Sequence, residues 1–359
     1  MSSGPDNASD TPKEIAIAGR RIGPGHEPYV ICELSGNHNG SLERAMELLE
    51  AAAATGADAI KMQSYTADTI TIDHDGPGFT IEGGLWDGRT LYDLYGEAQT
   101  PFEWHAPLFA RARELGVTLF SSPFDTTAVD MLEELGAPAY KIASFEAVDL
   151  PLVAYVASKG KPMIISTGMA NLEEIGEAVG TARENGCEDI VLLHCVSSYP
   201  APDEQSNVRT VPDLGKRFGV VSGLSDHTFG SAVSVASIAL GGCVIEKHCT
   251  LARADGGPDS AFSLEPDEFK SLVEDCKRAW RSLGQPTYDL QGSESGSVQF
   301  RRSLYVVEDI AAGDELTGKN IRSIRPGQGL APKNLPQVLG RKAARDLKRG
   351  EPLDWDLMA

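Results

Sequence analysis

The chain has 359 residues, 41% hydrophobic and 23% charged, with a formal net charge of −20. That is enough for one large core plus a small second domain. So acidic a chain argues against nucleic-acid binding, which favours a basic footprint. No run approaches the roughly 20 apolar residues of a transmembrane helix.

The first 14 residues, MSSGPDNASDTPKE, are polar and lack an apolar signal segment, so they read as a disordered leader on a cytoplasmic protein. Six cysteines without CxxC spacing read as reduced, buried thiols rather than a disulfide framework or a zinc site. Between Tyr29 and Cys249 come eight short apolar runs: YVICELS, ADAIKMQ, VTLFSSP, AYKIAS, PMIIST, DIVLLHC, GVVSGLSDH and GCVIEKHC. Segments with helical apolar spacing separate them. Eight alternating units predict a (β/α)8 TIM barrel over residues 15–285, with its active site at the C-terminal ends of the strands. In the unit before the third strand, Thr100 is the expected N-cap, Pro101 the first helical residue and Gly116 the stop.

One connection is long. Residues 64–99 carry Trp86, Tyr92 and Tyr95 among glycines and read as a lid. The helix PDEFKSLVEDCKRAWRSLG ends the barrel near Gly284, and residues 286–298 read as a Gly/Ser-rich linker. Residues 299–359 predict a small β-rich domain in which IAAGDEL and LKRGEPL share the pattern apolar–x–x–Gly–acid–x–Leu. From Gly296 onward there are 11 Lys and Arg against 8 Asp and Glu, so the acidic excess lies in the remainder. An anionic ligand there needs clustered cations.

Residues alternate across a strand, so one parity faces the barrel axis. Glu33, Ser35 and Asn37 share a parity in the first unit, and Lys61 with Gln63 in the second. Lys141 lies in the fourth, Ser166 ends the fifth, Ser225 and His227 end the seventh, and Glu246 with His248 share the eighth. Barrel interiors are normally filled by branched apolar side chains, so these groups are costly without partners or ligand. His227 and His248, on adjacent strands, are candidates for one divalent ion with open positions; the alternative is a hydrogen-bonded structural pair. His38 and His194 are assigned supporting or packing roles. Lys61 and Lys141, with the hydroxyls of Ser144, Ser166 and Ser225, form a candidate phosphate or carboxylate cradle. A Schiff-base amine and a salt bridge to a barrel glutamate compete with that reading. Glu33 is a candidate general acid/base or metal ligand, against a capping or ion-pair role. Asp259 is a candidate for binding polyol hydroxyls, against a turn-forming role.

The motifs ELSGNHNGSLERA, SSPFDTTAVDMLEELGAPAYKIASFE, KPMIISTGMANLEEI, LLHCVSSYPAP, GLSDHTFG, GGCVIEKHCTL and GPDSAFSLEPDEF resemble the sialic acid synthase family over nearly the whole chain. The resemblance implies condensation of phosphoenolpyruvate (PEP) with an N-acetylated sugar at a barrel site using a divalent metal, Mn²⁺, Mg²⁺ or Co²⁺. It implies that the tail is an antifreeze-like (SAF) domain, swapped onto the partner barrel of a homodimer. On this chain, His227 and His248 match the metal-binding histidines and Glu33 the acidic residue beside the metal; these three are the expected catalytic residues. Lys61, Lys141, Ser144, Ser166 and Ser225 match PEP-binding positions. Ser197 is grouped with them and stands where N-acetylneuraminate synthases tend to have Asn. Gln63, Glu146, Tyr199 and Asp259 match sugar-side positions, and Arg325, in RPGQG, matches a tail arginine that reaches the partner's active site. The long loop, with GLWDG, LYDLY and TPFEW, is similar to the pseudaminic acid synthase branch, whose sugar is 2,4-diacetamido-2,4,6-trideoxy-L-altrose. That 6-deoxy sugar calls for apolar surface near C6, from Trp86 or Tyr95. N-acetylneuraminate and legionaminic acid synthases are the near alternatives. A Schiff-base aldolase and a non-catalytic binding protein are the distant ones.

Overall fold

The computed structural model describes residues 13–359, so the expected leader lies outside the described residues as far as residue 12. The chain divides after Gly284 into two compact units. In the first, a hairpin of β1 (Ile15–Ile17) and β2 (Arg20–Ile22) precedes eight parallel strands. These are β3 (Tyr29–Glu33), β4 (Ala59–Ser64), β5 (Thr118–Pro123), β6 (Tyr140–Ile142), β7 (Met163–Ser166), β8 (Ile190–Cys195), β9 (Val221–Asp226) and β10 (Val244–His248). β10 pairs with β9 and with β3, setting His248 opposite Glu33, so the sheet closes into a barrel. Each strand falls on one of the eight apolar runs.

The helices are α1 (Leu42–Ala54), α2 (Ala67–Ile70), α3 (Leu91–Ala98), α4 (Phe102–Leu115), α5 (Thr126–Glu134), α6 (Leu150–Ala157), α7 (Leu172–Glu184), α8 (Thr210–Phe218), α9 (Ala232–Ala239) and α10 (Pro266–Ser282). Asp125, Asp149 and Asn171 cap α5, α6 and α7 with side-chain oxygens on free backbone N–H groups. The start of α4 departs from expectation. Pro101 takes the N-cap position in an extended conformation, and Thr100 instead sets its hydroxyl 3.4 Å from His38 Nε2.

Strand parity divides the core. Val30, Cys32, Ile60 and Met62 face outward into a cluster shared with the helices. Tyr29, Ile31, Ala59, Phe120 and Val244 face the axis, and Ile15, Ile17 and Ile22 of the hairpin join them. The hairpin therefore plugs the N-terminal end of the barrel. Its turn, Ala18–Gly19, has φ of 48° and 81°, the conformation of a tight two-residue hairpin. Two residues further along, the same parity changes character: Ile31 gives way to Glu33, Ala59 to Lys61, Ala139 to Lys141, Ile164 to Ser166 and Val244 to Glu246.

In the second unit, β11 (Ser303–Val306) pairs antiparallel with β12 (Ile321–Ile324), and a short α11 (Leu335–Val338) follows. Where the sequence suggests a linker, Gly292–Phe300 forms 3₁₀ turns. The internal echo is structural. Ile310 and Leu347, the first residues of the two copies, exchange backbone hydrogen bonds of 2.9 and 2.8 Å. Leu316 and Leu353, the last, are both fully buried in that unit's core. Among the described residues no helix is long and apolar enough to cross a membrane. All six cysteines are free and buried.

Candidate active site

The polar interior layer forms the floor of a cavity of about 600 Å³ at the C-terminal end of the barrel. Lys61 Nζ lies 2.6 Å from Glu33 Oε2 and 3.5 Å from Glu246 Oε1, and Lys141 Nζ lies 3.8 Å from that same Glu246 oxygen. Both lysines are thus ion-paired to barrel glutamates, and both also line the cavity. Burial alone would raise the Glu246 carboxyl, but Lys141 and Lys61 outweigh it and hold the group below its usual range. Burial likewise opposes the charge on Lys61, and Glu246 with Glu33 restores it. Lys141 is left lowered by burial. Glu33 is left raised by burial despite Lys61. The sequence assigns Glu246 no role at the site, although its shared parity with His248 places it on the same floor.

Glu33 departs from expectation. It is fully buried and does not line the cavity; it touches Lys61, Gln63 and Ser35, which do. Glu146 does line it, from a 3₁₀ turn after β6. Burial pushes its carboxyl up to about 7. Buried polar atoms without a protein partner mark where a ligand would be satisfied: Ser166 Oγ, Glu146 Oε2, Glu246 Oε2 and His248 Nδ1.

Ser144 and Ser197 converge on Gly168. The Gly168 N–H donates to Ser144 Oγ at 3.2 Å. A Cβ on Gly168 would lie 2.2 Å from Ser197 Oγ and 2.8 Å from Ser144 Oγ, so any side chain there would displace both hydroxyls. Ser144, Ser166 and Ser225 face the cavity; Ser197 packs behind Gly168 and is not on its wall.

The rings of His227 and His248 lie 5.3 Å apart, centroid to centroid. His227 Nδ1 donates to the Val196 carbonyl at 3.0 Å, so the neutral ring offers Nε2 as its lone pair. Burial holds His248 well below the usual imidazole range, hence neutral. For His227 burial acts the same way, but Cys195, 3.8 Å from Nδ1, outweighs it and raises the ring. A bound cation competes with that proton. Among the described residues no group of three or more His, Cys, Asp or Glu surrounds a metal position. The donor set is thus two imidazoles, one with an orphaned buried nitrogen, and it fits a divalent ion completed by oxygens of ligand or water. His38 and His194 lie elsewhere: His38 Nδ1 accepts from the Gly40 N–H, and His194 Nε2 donates to the Ser206 carbonyl.

The wall differs from the floor. The β4–α4 connection supplies Tyr65, Ile70, Ile81, Trp86, Leu94 and Tyr95 to it. Trp86 Nε1 donates to the Pro258 carbonyl at 2.9 Å, which fastens the connection to the loop carrying Asp259. Tyr199 stands between Trp86 and the histidines, its ring centroid 5.7 Å from Trp86 and 4.3 Å from His227. Gln63 and Asp259 reach the cavity from β4 and the β10 loop. Arg325 is exposed on the second unit, beside the cis Arg325–Pro326 bond.

Residues 48–288 match the NeuB family model, and residues 301–358 match the SAF domain. The pseudaminic acid synthase of Campylobacter jejuni is 44% identical over 90% of this chain and 95% of its own length. That of Helicobacter pylori is 44% identical over 92% and 97%. In structure the chain is similar to the N-acetylneuraminic acid synthetase of Leptospira borgpetersenii crystallised with citrate. That match has a TM-score of 0.71 and 30% identity, and covers 81% of this chain and 96% of the other. With a barrel, a SAF domain and relatives of this closeness over nearly its full length, the chain belongs to the NeuB family.

Proposed function

We propose that the protein is a pseudaminic acid synthase. It condenses PEP with 2,4-diacetamido-2,4,6-trideoxy-L-altrose to pseudaminic acid and phosphate. The observation that carries this reading is the division of one cavity into a cationic, hydroxyl-rich floor and an apolar, aromatic wall. A small trianion is matched by Lys61, Lys141 and the serine cradle. A 6-deoxy sugar is matched by carbon surface from the β4–α4 connection, including Trp86 and Tyr95.

Lys61 and Lys141 hold the PEP anion with C3 turned to the sugar's aldehyde carbon. The PEP C3 bonds to that carbon, and the positive charge left at C2 is taken up by water. The C2–O bond then breaks and phosphate leaves. His227 and His248 would hold a divalent ion, Mn²⁺ or a close relative, whose chemistry when bound is Lewis-acid polarisation of the aldehyde oxygen. Glu146, facing the cavity with its carboxyl raised to about 7, gives a proton to the aldehyde oxygen as it becomes a hydroxyl and recovers one from the water added at C2. Glu33 keeps Lys61 charged and Gln63 oriented. Gln63, Tyr199 and Asp259 hold the sugar. The working form is a cytoplasmic homodimer in which Arg325 of one protomer serves the barrel of its partner. Exposed Phe145, Met169 and Phe229, on loops at the C-terminal end of the barrel, support a covering partner there.

The test is phosphate release from PEP and Mn²⁺ with three sugars in parallel: the altrose-derived sugar, N-acetylmannosamine and the legionaminic acid precursor. Turnover confined to the first is expected. Turnover of another instead moves the protein to a sister synthase, and none with any sugar sinks the reading. The lowered, buried Lys141 amine is what a Schiff-base aldolase would use. A synthase that uses Lys141 only to bind PEP should stay unlabelled by borohydride with pyruvate, whereas labelling at Lys141 would favour the aldolase.

A further inference from the structure

Ser35 is a buried residue in the wrong backbone region for a serine. Its φ is +48°, a left-handed conformation that glycine adopts freely and other residues adopt only under strain. Strain of this kind persists where the side chain is needed. The side chain here is a junction. Ser35 Oγ donates to Asp259 Oδ2 and accepts from Gln63 Nε2 at 3.1 Å. Gln63 Nε2 also donates to Glu33 Oε1 at 3.1 Å, and the Ser35 N–H donates to that same oxygen at 3.1 Å.

We infer that Ser35 is a positioning residue that locks Gln63 and Asp259 into the geometry of the sugar subsite. Proton counting carries the argument. The hydroxyl's one proton goes to Asp259, and the two protons of the Gln63 amide go to Ser35 and Glu33. The amide is thereby fixed with its carbonyl oxygen left as an acceptor for ligand. The same hydroxyl ties β3 and β4 to the β10 loop, which Trp86 grips at Pro258. Without it, Asp259 loses the hydrogen bond that opposes the upward effect of its burial, and Gln63 is free to turn over. The identity of the sugar rests on the function proposed above; the junction does not.

The experiment compares Ser35→Gly, Ser35→Ala, Asp259→Asn and the Ser35→Gly/Asp259→Asn double variant. In Ser35→Gly the backbone is relaxed, so the thermal midpoint should hold or rise while kcat/KM for the sugar falls about 10- to 100-fold, the loss usual for a supporting partner of a site. The KM for PEP should stay near that of the parent. Ser35→Ala keeps the strain without the hydroxyl and should have the lower midpoint of the two. The double variant should lose less than the sum of the singles, in sugar kinetics and in thermal midpoint alike. Parent-like sugar kinetics in Ser35→Gly, an equal rise in the KM for PEP, or additive effects would each overturn the inference. If the parent turned over no sugar, the functional reading would fall, and the midpoint cycle would still decide for or against the junction.

Discussion

The lower and upper halves of the barrel interior use the same strands and the same parity, yet they are built from opposite chemistry. Below, Tyr29, Ile31, Phe120 and Val244 pack around the hairpin's isoleucines, and apart from the Tyr29 hydroxyl the buried groups add apolar burial at roughly 25 cal/mol per Å². Above, two residues later on the same strands, the interior is held by Lys61, Lys141, Glu33 and Glu246. Desolvating such charges offsets most of what their attraction gives. Stability and chemistry are therefore separated along the barrel axis, not between barrel and loops. The upper half tolerates its charges because each has a partner, and because the orphaned atoms of Ser166, Glu146, Glu246 and His248 face a ligand cavity.

The largest expected effect tests the upper half. His227→Ala should lower kcat/KM by at least about 10³-fold, since a Lewis acid contributes several kcal/mol and each factor of ten is about 1.4 kcal/mol. In chelator its midpoint of unfolding should fall only as the loss of a buried ring and its bond to the Val196 carbonyl requires. Mn²⁺ should raise the parent's midpoint by linkage and leave the variant's where it was. A variant that keeps both activity and the metal shift would remove His227 from the site. The lower half should answer in reverse. Ile17→Ala opens a void in the plug and should cost about 2–5 kcal/mol of stability, read by denaturant titration. Activity per folded molecule should be retained. A matching loss of kcat would show that the two halves are coupled.

Glu146 sharpens the comparison through pH. Its folded carboxyl is raised to about 7 from an ordinary 4.5, with burial the main cause. The protonated form therefore favours folding. The corresponding stability is complete below the unfolded value near 4.5 and is lost as pH rises toward 7. Glu146→Gln should thus unfold later than the parent at pH 8 and match it near pH 4. If Glu146 moves the proton, the variant should also lose the limb of the rate profile near neutrality. A parent and variant with parallel stability curves between pH 4 and 8 would refute the raised carboxyl.

The fold was legible because eight apolar runs and their glycine-ended helices are local patterns. The site was legible in its strand residues, because parity is local too: Lys61, Lys141, Ser225, His227 and His248 could be assigned to one mouth. The hairpin was not, since IAIAGRRI is short and sits against a polar leader. Glu33 lies inside the barrel at the expected strand end, but it meets the cavity only through Lys61, Gln63 and Ser35, because depth along the axis depends on which neighbours stand in front. Ser35 was counted only as a parity member. Its left-handed φ is set by contacts with Gln63 and Asp259, 28 and 224 residues away, and no local pattern carries that.

The smallest predicted effect concerns the lid's grip on the boundary between floor and wall. Trp86→Phe keeps an aromatic ring beside Tyr199 but removes the N–H bonded to the Pro258 carbonyl. A neutral hydrogen bond contributes about 1 kcal/mol net, so kcat/KM for the sugar should fall by roughly fivefold, with PEP and Mn²⁺ dependence unmoved. Preference for the 6-deoxy sugar over a 6-hydroxy analogue should largely survive. An apolar wall rejects an added hydroxyl only by about 100-fold in any case, and phenylalanine preserves that wall. Trp86→Ala should lower this preference further, because the wall itself is then opened to water. If Phe and Ala proved equal in sugar preference, the ring would be excluded as wall, and Trp86 would act only as a fastener between the β4–α4 connection and the loop that carries Asp259.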